Sequence, residues 1–219
     1  MNKTTIPVLL LTGYLGSGKT TLLNRILANE AGVRFAVIVN DIGEVNIDAD
    51  LIQKGGVVNA KDDNLMALTN GCICCTLKMD LVQQLHDLCT ANRFDYIVIE
   101  ASGICEPAPI AQTICSYRKM IPFTEDPAPQ LDSLVTVVDA LRMRDEFGDL
   151  QAKYSDRTNV DEDDLASLVI QQIEFCNTIL LNKVADLTAD ELTYIVSVIR
   201  AIQPNAEIIP CNYCDVPLE

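Results

Sequence analysis

Gly13-Tyr14-Leu15-Gly16-Ser17-Gly18-Lys19-Thr20 fits the pattern GxxxxGK[ST], and its flanks decide what that pattern means. Before it, Val8-Leu9-Leu10-Leu11 is a short continuous apolar run that reads as a buried strand. After it, Leu22, Leu23, Ile26 and Leu27 recur at helical spacing until Gly32 supplies a stop. A glycine-rich turn between a strand and a helix is a phosphate-binding loop. Backbone N–H groups wrap the phosphates at the helix N-terminus, where the dipole also favours anions. Gly13, Gly16, Ser17, Gly18 and Thr21 belong to that cradle, Lys19 reaches the β- and γ-phosphates, and Thr20 ligates Mg²⁺. The other reading, a βα turn that binds nothing, is disfavoured by the full pattern with both flanks in place. The chain is therefore read as binding a nucleoside triphosphate.

The 219 residues suit one large α/β domain, and 49% hydrophobic content argues for a well-filled core. No apolar run approaches the length of a membrane span, and the N-terminus lacks a charged-then-apolar signal segment, so the expected location is the cytoplasm. With 16 Lys+Arg against 31 Asp+Glu the formal charge is −15, which repels nucleic acid and anionic membrane. Nine cysteines without a secretion signal are unlike a disulfide framework, so each is core filler or a metal or redox candidate.

Further strands are expected at Phe35-Ala36-Val37-Ile38-Val39, Tyr96-Ile97-Val98-Ile99, Leu134-Val135-Thr136-Val137-Val138, Ile179-Leu180-Leu181 and Ile208-Ile209. Short apolar strands alternating with helical patterns predict a mainly parallel sheet sandwiched by helices. Gly13, Asn40-Asp41, Glu100, Asp139 and Asn182 then fall at the C-terminal strand ends, outside which ligands of open α/β sheets bind. Two stretches, Pro122 to Pro129 and the acidic Ser155 to Asp164, read as surface loops.

Glu100 ends its strand and precedes Ala101-Ser102-Gly103. An acid there can hold Mg²⁺ directly or through water, and the Gly103 N–H can meet a γ-phosphate. Between the two motifs lies Asn70-Gly71-Cys72-Ile73-Cys74-Cys75-Thr76-Leu77, three thiols in four positions ahead of a helix expected from about Asp80 to Cys89. Cys72 and Cys74 project to one side of extended or turning backbone and a bend brings Cys75 round, giving three thiolates for a soft metal such as Zn²⁺. Buried small hydrophobes and a redox switch are the competing readings of the same cluster.

In this order, GYLGSGKTT, NDIGEVNID, GCICCTL, EASG and VTVVDA resemble the GTPase domain of the CobW-related metallochaperones, and the resemblance covers essentially the whole chain. It implies a P-loop fold of the SIMIBI type. It also implies GTP/GDP and Mg²⁺ as cofactors, Zn²⁺ or Co²⁺ as the transition metal, and delivery of that metal to a client apo-metalloprotein. Catalysis is then assigned to Lys19, Glu100 and Asp41, with Glu44 and Asp48 of the first switch as further candidates for water positioning or metal ligation. Self-association into a homodimer is one way to supply a missing catalytic group. The alternatives are a nucleotide-gated metal store with negligible hydrolysis and a P-loop kinase or ATPase with structural cysteines.

The sequence departs from the family pattern at two places. The base motif NKxD appears as Asn182-Lys183-Val184-Ala185-Asp186, with its carboxylate one residue late, so the contact to guanine expected of Asn182, Lys183 and Asp186 needs a local bulge. Thr188, with Glu191 three residues on, is the better cap for the helix that follows. Residues 1–219 are expected to be a single GTPase domain, without the smaller C-terminal domain usual in the family. Arg25, Arg34 and Arg142 are the arginines considered for a catalytic finger. His86 is expected to be solvated, and Cys89, Cys115 and Cys176 to be core. Cys211-Asn212-Tyr213-Cys214 is a CxxC that could line the base pocket, supply a metal half-site or form a flexible tail.

Overall fold

The computed structural model describes residues 4–28, 32–40, 65–70, 78–122, 125–147 and 165–217. Among them seven strands form one sheet: β1 (Thr5–Thr12), β2 (Phe35–Asn40), β3 (Leu65–Asn70), β4 (Tyr96–Glu100), β5 (Ala128–Asp139), β6 (Thr178–Asn182) and β7 (Glu207–Pro210). Their order is β3-β2-β4-β1-β5-β6-β7, and every neighbouring pair is parallel. All C-terminal strand ends therefore lie on one edge, and β1, which feeds the phosphate loop, sits at the centre.

The helices are α1 (Lys19–Leu27), α2 (Lys78–Ala91), α3 (Pro107–Cys115), α4 (Tyr117–Met120), α5 (Ala140–Phe147), α6 (Leu165–Glu174) and α7 (Ala189–Ile202), with a 3₁₀ turn at Val184–Asp186. Side chains of β1 alternate between two apolar clusters, as a strand covered on both faces requires. Ile6, Val8 and Leu10 join Leu81, Leu85, Leu88, Ile110, Ile173 and Ile199 from the helices of one face. Leu9 and Leu11 join Leu22 and Leu23 of α1 on the other, together with Val98, Leu180, Cys211 and Cys214. At about 1.5–3 kcal/mol for each fully buried aliphatic side chain, this double-sided packing fixes strand register and hence the geometry of the edge.

Several sequence expectations need correction. Leu65-Met66-Ala67-Leu68-Thr69-Asn70 is a strand that periodicity did not reveal, pairing residue by residue with Phe35–Asn40. The expected loop through Pro129 is shorter, because β5 begins at Ala128. Its first residues pair only with β1, since β6 joins from Val135 onward, so the missing N–H of Pro129 costs no ladder bond on the unpaired side. The first helix ends at Leu27, before Gly32. Cys115 is exposed, because the buried stripe of α3 runs through Pro107, Ile110, Thr113 and Ile114 and the next residue turns away. His86 is half-buried and its Nδ1 lies 2.9 Å from the Tyr117 hydroxyl. Thr188 caps α7 in a full capping box with Glu191. The acidic stretch Ser155 to Asp164 lies outside the described residues.

Candidate nucleotide site

The phosphate loop runs from Gly13 to the α1 N-terminus with three glycines in left-handed backbone, Gly13 (φ 133), Gly16 (φ 74) and Gly18 (φ 117). At Gly13 and Gly18 the surroundings demand glycine as well. A Cβ on Gly13 would lie 2.2 Å from the Val137 carbonyl oxygen, and one on Gly18 would lie 2.5 Å from Asn182 Nδ2. Ser17 N–H donates to the Tyr14 carbonyl at 3.2 Å, closing the loop into a cradle. The Ser17 hydroxyl is buried and makes no hydrogen bond. Lys19 is buried and its ammonium donates to the Tyr14 carbonyl at 3.3 Å, folded back over the loop.

Thr20 and Glu100, the two residues expected at Mg²⁺, meet directly: the Thr20 hydroxyl donates to Glu100 Oε1 at 3.2 Å. The contact follows from the sheet, because Leu11 of β1 pairs with Glu100 of β4. A hydroxyl and a buried carboxylate form an oxygen donor set that suits a hard divalent cation. Gly103, three residues on, packs on the phosphate loop, since a Cβ there would lie 2.6 Å from the Leu15 backbone nitrogen. The turn that carries it is held from below by Gln172 of α6, whose side-chain amide donates to the Gly103 and Cys105 carbonyls at 3.1 and 3.3 Å. Thr136 of β5 donates to the Gln172 carbonyl at 2.8 Å and shares a hydrogen bond with Thr12 at the end of β1. A buried polar chain thus ties the strand before the phosphate loop to the turn after Glu100.

Asn182 is buried at the end of β6, and its Nδ2 donates to the Ser17 carbonyl at 2.8 Å. Lys183 adopts left-handed backbone (φ 66), and its ammonium pairs with Asp139 Oδ2 at 2.5 Å. Asp139 also caps α5 by accepting from the Leu141 and Arg142 N–H groups. Asp186 ends the 3₁₀ turn and is exposed. Because Thr188 supplies the helix cap, Asp186 is not needed for capping. Among the three arginines considered, Arg34 grips Asp95 through two hydrogen bonds and Arg25 holds Tyr213 O and Asp215. Arg142 stacks over the ring of Tyr14 in the phosphate loop, 4.1 Å from its centroid.

Asp41, Glu44, Asp48, Cys72, Cys74 and Cys75 lie outside the described residues, as does nearly all of the proposed first switch. What is placed is the chain that leads to them: Asn40 and Asn70 end β2 and β3 in register on the nucleotide edge. β3 is three strand steps from β1, so at roughly 4.8 Å per step it lies about 14 Å from the strand of the phosphate loop. No group of three or more His, Cys, Asp or Glu side chains suited to a metal occurs among the described residues, and no described helix is long and apolar enough to cross a membrane. Gln172, one of two adjacent glutamines on a mostly apolar helix, carries no signal of its own in the sequence. Tyr14 and Arg142 were visible as residues but not as a stacked pair.

A parallel sheet with this loop and this strand-end acid defines a P-loop nucleotide-binding domain of the NTPase class. Residues 7–210 match the family described as "CobW/HypB/UreG, nucleotide-binding domain", and the chain belongs to that family. It is 38% identical to the zinc-regulated GTPase metalloprotein activator 1 of Dictyostelium discoideum, over 98% of this chain and 47% of that one. It is 37% identical to the zinc chaperone YjiA of Escherichia coli, over 74% of this chain and 50% of that one. The crystal structure of Zn(II)-bound YjiA GTPase from E. coli superposes with a TM-score of 0.64 at 26% identity, covering 100% of this chain and 60% of that chain. The chain spans about half the length of these two curated relatives.

Proposed function

We propose that this domain binds and hydrolyses GTP and couples the nucleotide state to binding of a transition metal, Zn²⁺ or Co²⁺, at Cys72, Cys74 and Cys75 for delivery to a client protein. The observation that carries the nucleotide half is the convergence of Lys19, Thr20, Glu100 and Gly103 on one loop, with Asn182 bracing that loop from the base side. The relatives named for GTPase and zinc-chaperone roles support the metal half.

Within this reading Gly13, Gly16, Ser17, Gly18 and Thr21 enclose the phosphates. Lys19 leaves the Tyr14 carbonyl for the β- and γ-phosphate oxygens, which offer a charged acceptor in place of a neutral one. Thr20 and Glu100 would hold Mg²⁺, which would supply positive charge beside the transferring phosphoryl group. Gly103 brings a backbone N–H toward the γ-phosphate, and any displacement of its turn is felt at Leu15. Asp41 orients the attacking water, and Glu44 lends a carboxylate to the metal or the water. Asn182, Lys183 and Asp186 face the base. Catalysis is mostly positioning and electrostatic stabilisation, so intrinsic turnover is slow, and a client protein or a second copy of the chain supplies further catalytic charge.

Coupling follows from order along the chain. The cysteine segment lies between the first switch and the Glu100 turn, so a γ-phosphate that orders those loops alters the thiolate site, and metal binding alters nucleotide affinity by the same factor. Metal capture displaces thiol protons and weakens as pH falls.

The test is to titrate reduced, metal-free protein with Zn²⁺ and Co²⁺ in the presence of GDP or a non-hydrolysable GTP analogue. The titration is repeated on the Cys72→Ser/Cys74→Ser/Cys75→Ser variant. Metal affinity that changes with the nucleotide and loses that dependence in the variant is the expected result. Weak binding indifferent to nucleotide and variant overturns the metal assignment and leaves a P-loop NTPase with structural cysteines.

A further inference from the structure

Cys211-Asn212-Tyr213-Cys214 follows β7, and the turn it makes touches both halves of the nucleotide site. Cys214 Sγ donates to the Gly18 carbonyl at 3.4 Å, and the Cys214 backbone N–H donates to Asn182 Oδ1 at 3.1 Å. At the other end, Val184 N–H donates to the Cys211 carbonyl at 3.3 Å, and Ala185 N–H donates to Asn212 Oδ1 at 2.8 Å. One short turn thus braces the last residue of the phosphate loop and the backbone that follows Lys183.

Both thiols are free and buried, Cys211 at 5% and Cys214 at 0% exposure, and both lie against Asn182: Cys211 Sγ is 3.9 Å from Asn182 Oδ1, the oxygen that also accepts from the Cys214 N–H. Tyr213 and Cys214 both take left-handed backbone, each with φ 52. That region is unfavourable for a non-glycine residue, and glycine at 214 would avoid the cost. The side chain that stands there instead is the one whose sulfur reaches the Gly18 carbonyl.

We propose that Cys211 and Cys214 form a reversible dithiol–disulfide site whose state sets the affinity of the domain for guanine nucleotide. The inference rests on the reading of Asn182–Asp186 as the base-binding segment. Cys211 is the attacking thiol. As Cys211 ionises, the Cys214 S–H can turn from the Gly18 carbonyl to the Cys211 sulfur, which holds the Cys211 pKa below the ordinary thiol value, and the Arg25 guanidinium acts in the same direction. Cys214 is held well above that value by its bond to Cys211 and by burial. A fast-attacking first cysteine with a buried partner is the division of labour that thiol–disulfide exchange uses.

The oxidant is a small-molecule disulfide such as glutathione disulfide. The Cys211 thiolate attacks one of its sulfurs, forming a mixed disulfide and expelling one glutathione thiolate. Cys214 then gives its proton to solvent and attacks the Cys211 sulfur, forming the Cys211–Cys214 bond and expelling the second thiolate. Two protein thiols are oxidised to one disulfide, and the glutathione disulfide is reduced to two thiols. Access comes through the turn itself: Tyr213 is 79% exposed, and the Arg25–Asp215 ion pair that pins the turn to α1 lies at the surface, where such pairs hold weakly. Once the disulfide forms, Sγ of Cys214 no longer donates to Gly18, and the turn that braces Val184 and Ala185 is drawn inward.

The measurement is guanine-nucleotide affinity, by titration with a fluorescent GDP, of the full chain equilibrated in reduced and in oxidised glutathione buffers. Peptide mapping assigns any disulfide formed. The expected result is a Cys211–Cys214 linkage, an affinity change of roughly threefold or more, reversal by dithiothreitol, and loss of the redox-dependent change in both Cys211→Ser and Cys211→Ala. A linkage that leaves affinity unchanged, or a shift that survives in both variants, overturns the proposal. So does failure of the linkage to form in the oxidised buffer. If the reduced protein itself does not bind GDP, the base-site reading fails instead, and the two failures are told apart by the reduced arm alone.

Discussion

Gly103 and Leu15 are in backbone contact across the nucleotide edge: a Cβ on Gly103 would stand 2.6 Å from the Leu15 nitrogen and 2.8 Å from its side-chain carbons. The phosphate loop and the turn after Glu100 are therefore one packed unit, and neither can shift without the other. Gly103→Ala is expected to push the two apart. Overpacking of this kind costs about 1–3 kcal/mol of stability, and GTP turnover should fall by about tenfold or more because Gly103 N–H leaves its position. Urea unfolding and single-turnover hydrolysis check the two parts separately. Wild-type turnover in Gly103→Ala would show that the contact is incidental.

Asn182 offers a second handle on the same loop from the base side. Its amide bridges Ser17 O and Cys214 N with both atoms buried, so Asn182→Ala leaves a buried carbonyl and a buried N–H without partners. The expected loss is about 1–3 kcal/mol, divided between a lower melting temperature and weaker GDP binding. Asn182→Asp keeps the acceptor but removes the donor to Ser17 and should lie between Ala and wild type in affinity. Thermal melts with and without GDP measure both terms.

The glycines of the loop rank themselves. Gly13 and Gly16 share left-handed backbone, but a Cβ on Gly13 meets Val137 O at 2.2 Å while one on Gly16 meets nothing within 4 Å. Gly16→Ala should cost only the backbone strain, about 1–2 kcal/mol. Gly13→Ala adds a clash with a strand that cannot move without breaking its ladder, and it should be the more destabilising by several kcal/mol. Equal destabilisation by urea unfolding would contradict this ranking.

How much of this was legible in the sequence depended on whether a signal was local. The phosphate loop, Glu100 and five of the remaining strands carried local patterns, because strand, glycine turn and helix sit next to one another along the chain. β3 did not, since its Met66, Ala67 and Asn70 are weak strand formers and its place is fixed by pairing with β2. Gln172 and Thr136 were invisible for a different reason. Each is one polar residue among several in its element, and its meaning comes from a partner 36 or more residues away. The CxxC at Cys211 was seen, but only the turn in three dimensions showed it pressed against Gly18 and not loose at the end of the chain.

Gln172 itself is the sharpest test of that buried chain. It is 1% exposed and satisfies two carbonyls of the turn after Glu100. Gln172→Leu keeps the bulk and removes both donors, so about 2–3 kcal/mol of stability should be lost. Gln172→Glu keeps one side-chain acceptor and sets it against the same carbonyls, so it should be worse than Leu at pH 7.5 and recover toward it as the acid is protonated at lower pH. Urea unfolding of both variants at two pH values separates loss of hydrogen bonds from charge.

Alkaline pH should weaken the fold through its buried thiols. Burial raises the pKa of Cys89 to about 12 and that of Cys176 to about 11, from an ordinary value near 9.0. The folded state therefore holds these protons when the unfolded chain has begun to release them. Below pH 9.0 neither state ionises and the contribution is fully present. Above it the unfolded chain is favoured, and stability falls until pH passes the folded values and both states ionise. Each thiol changes stability by at most about 1.4 kcal/mol per pH unit, so the two together should lower it by roughly 2 kcal/mol between pH 9 and pH 10. The Tyr117 hydroxyl, pushed up to about 12 mainly by burial, adds a later loss in the same direction once the unfolded tyrosine ionises near pH 10. Urea unfolding at pH 7.5, 9 and 10 under a non-thiol reductant gives the slope, and Cys176→Ala or Cys89→Ala should each make it shallower by about one thiol's share. A flat profile through pH 10 would mean that these thiols are hydrated in the folded protein, contrary to the packing of the cluster that contains Ile173, Ile179 and Leu88.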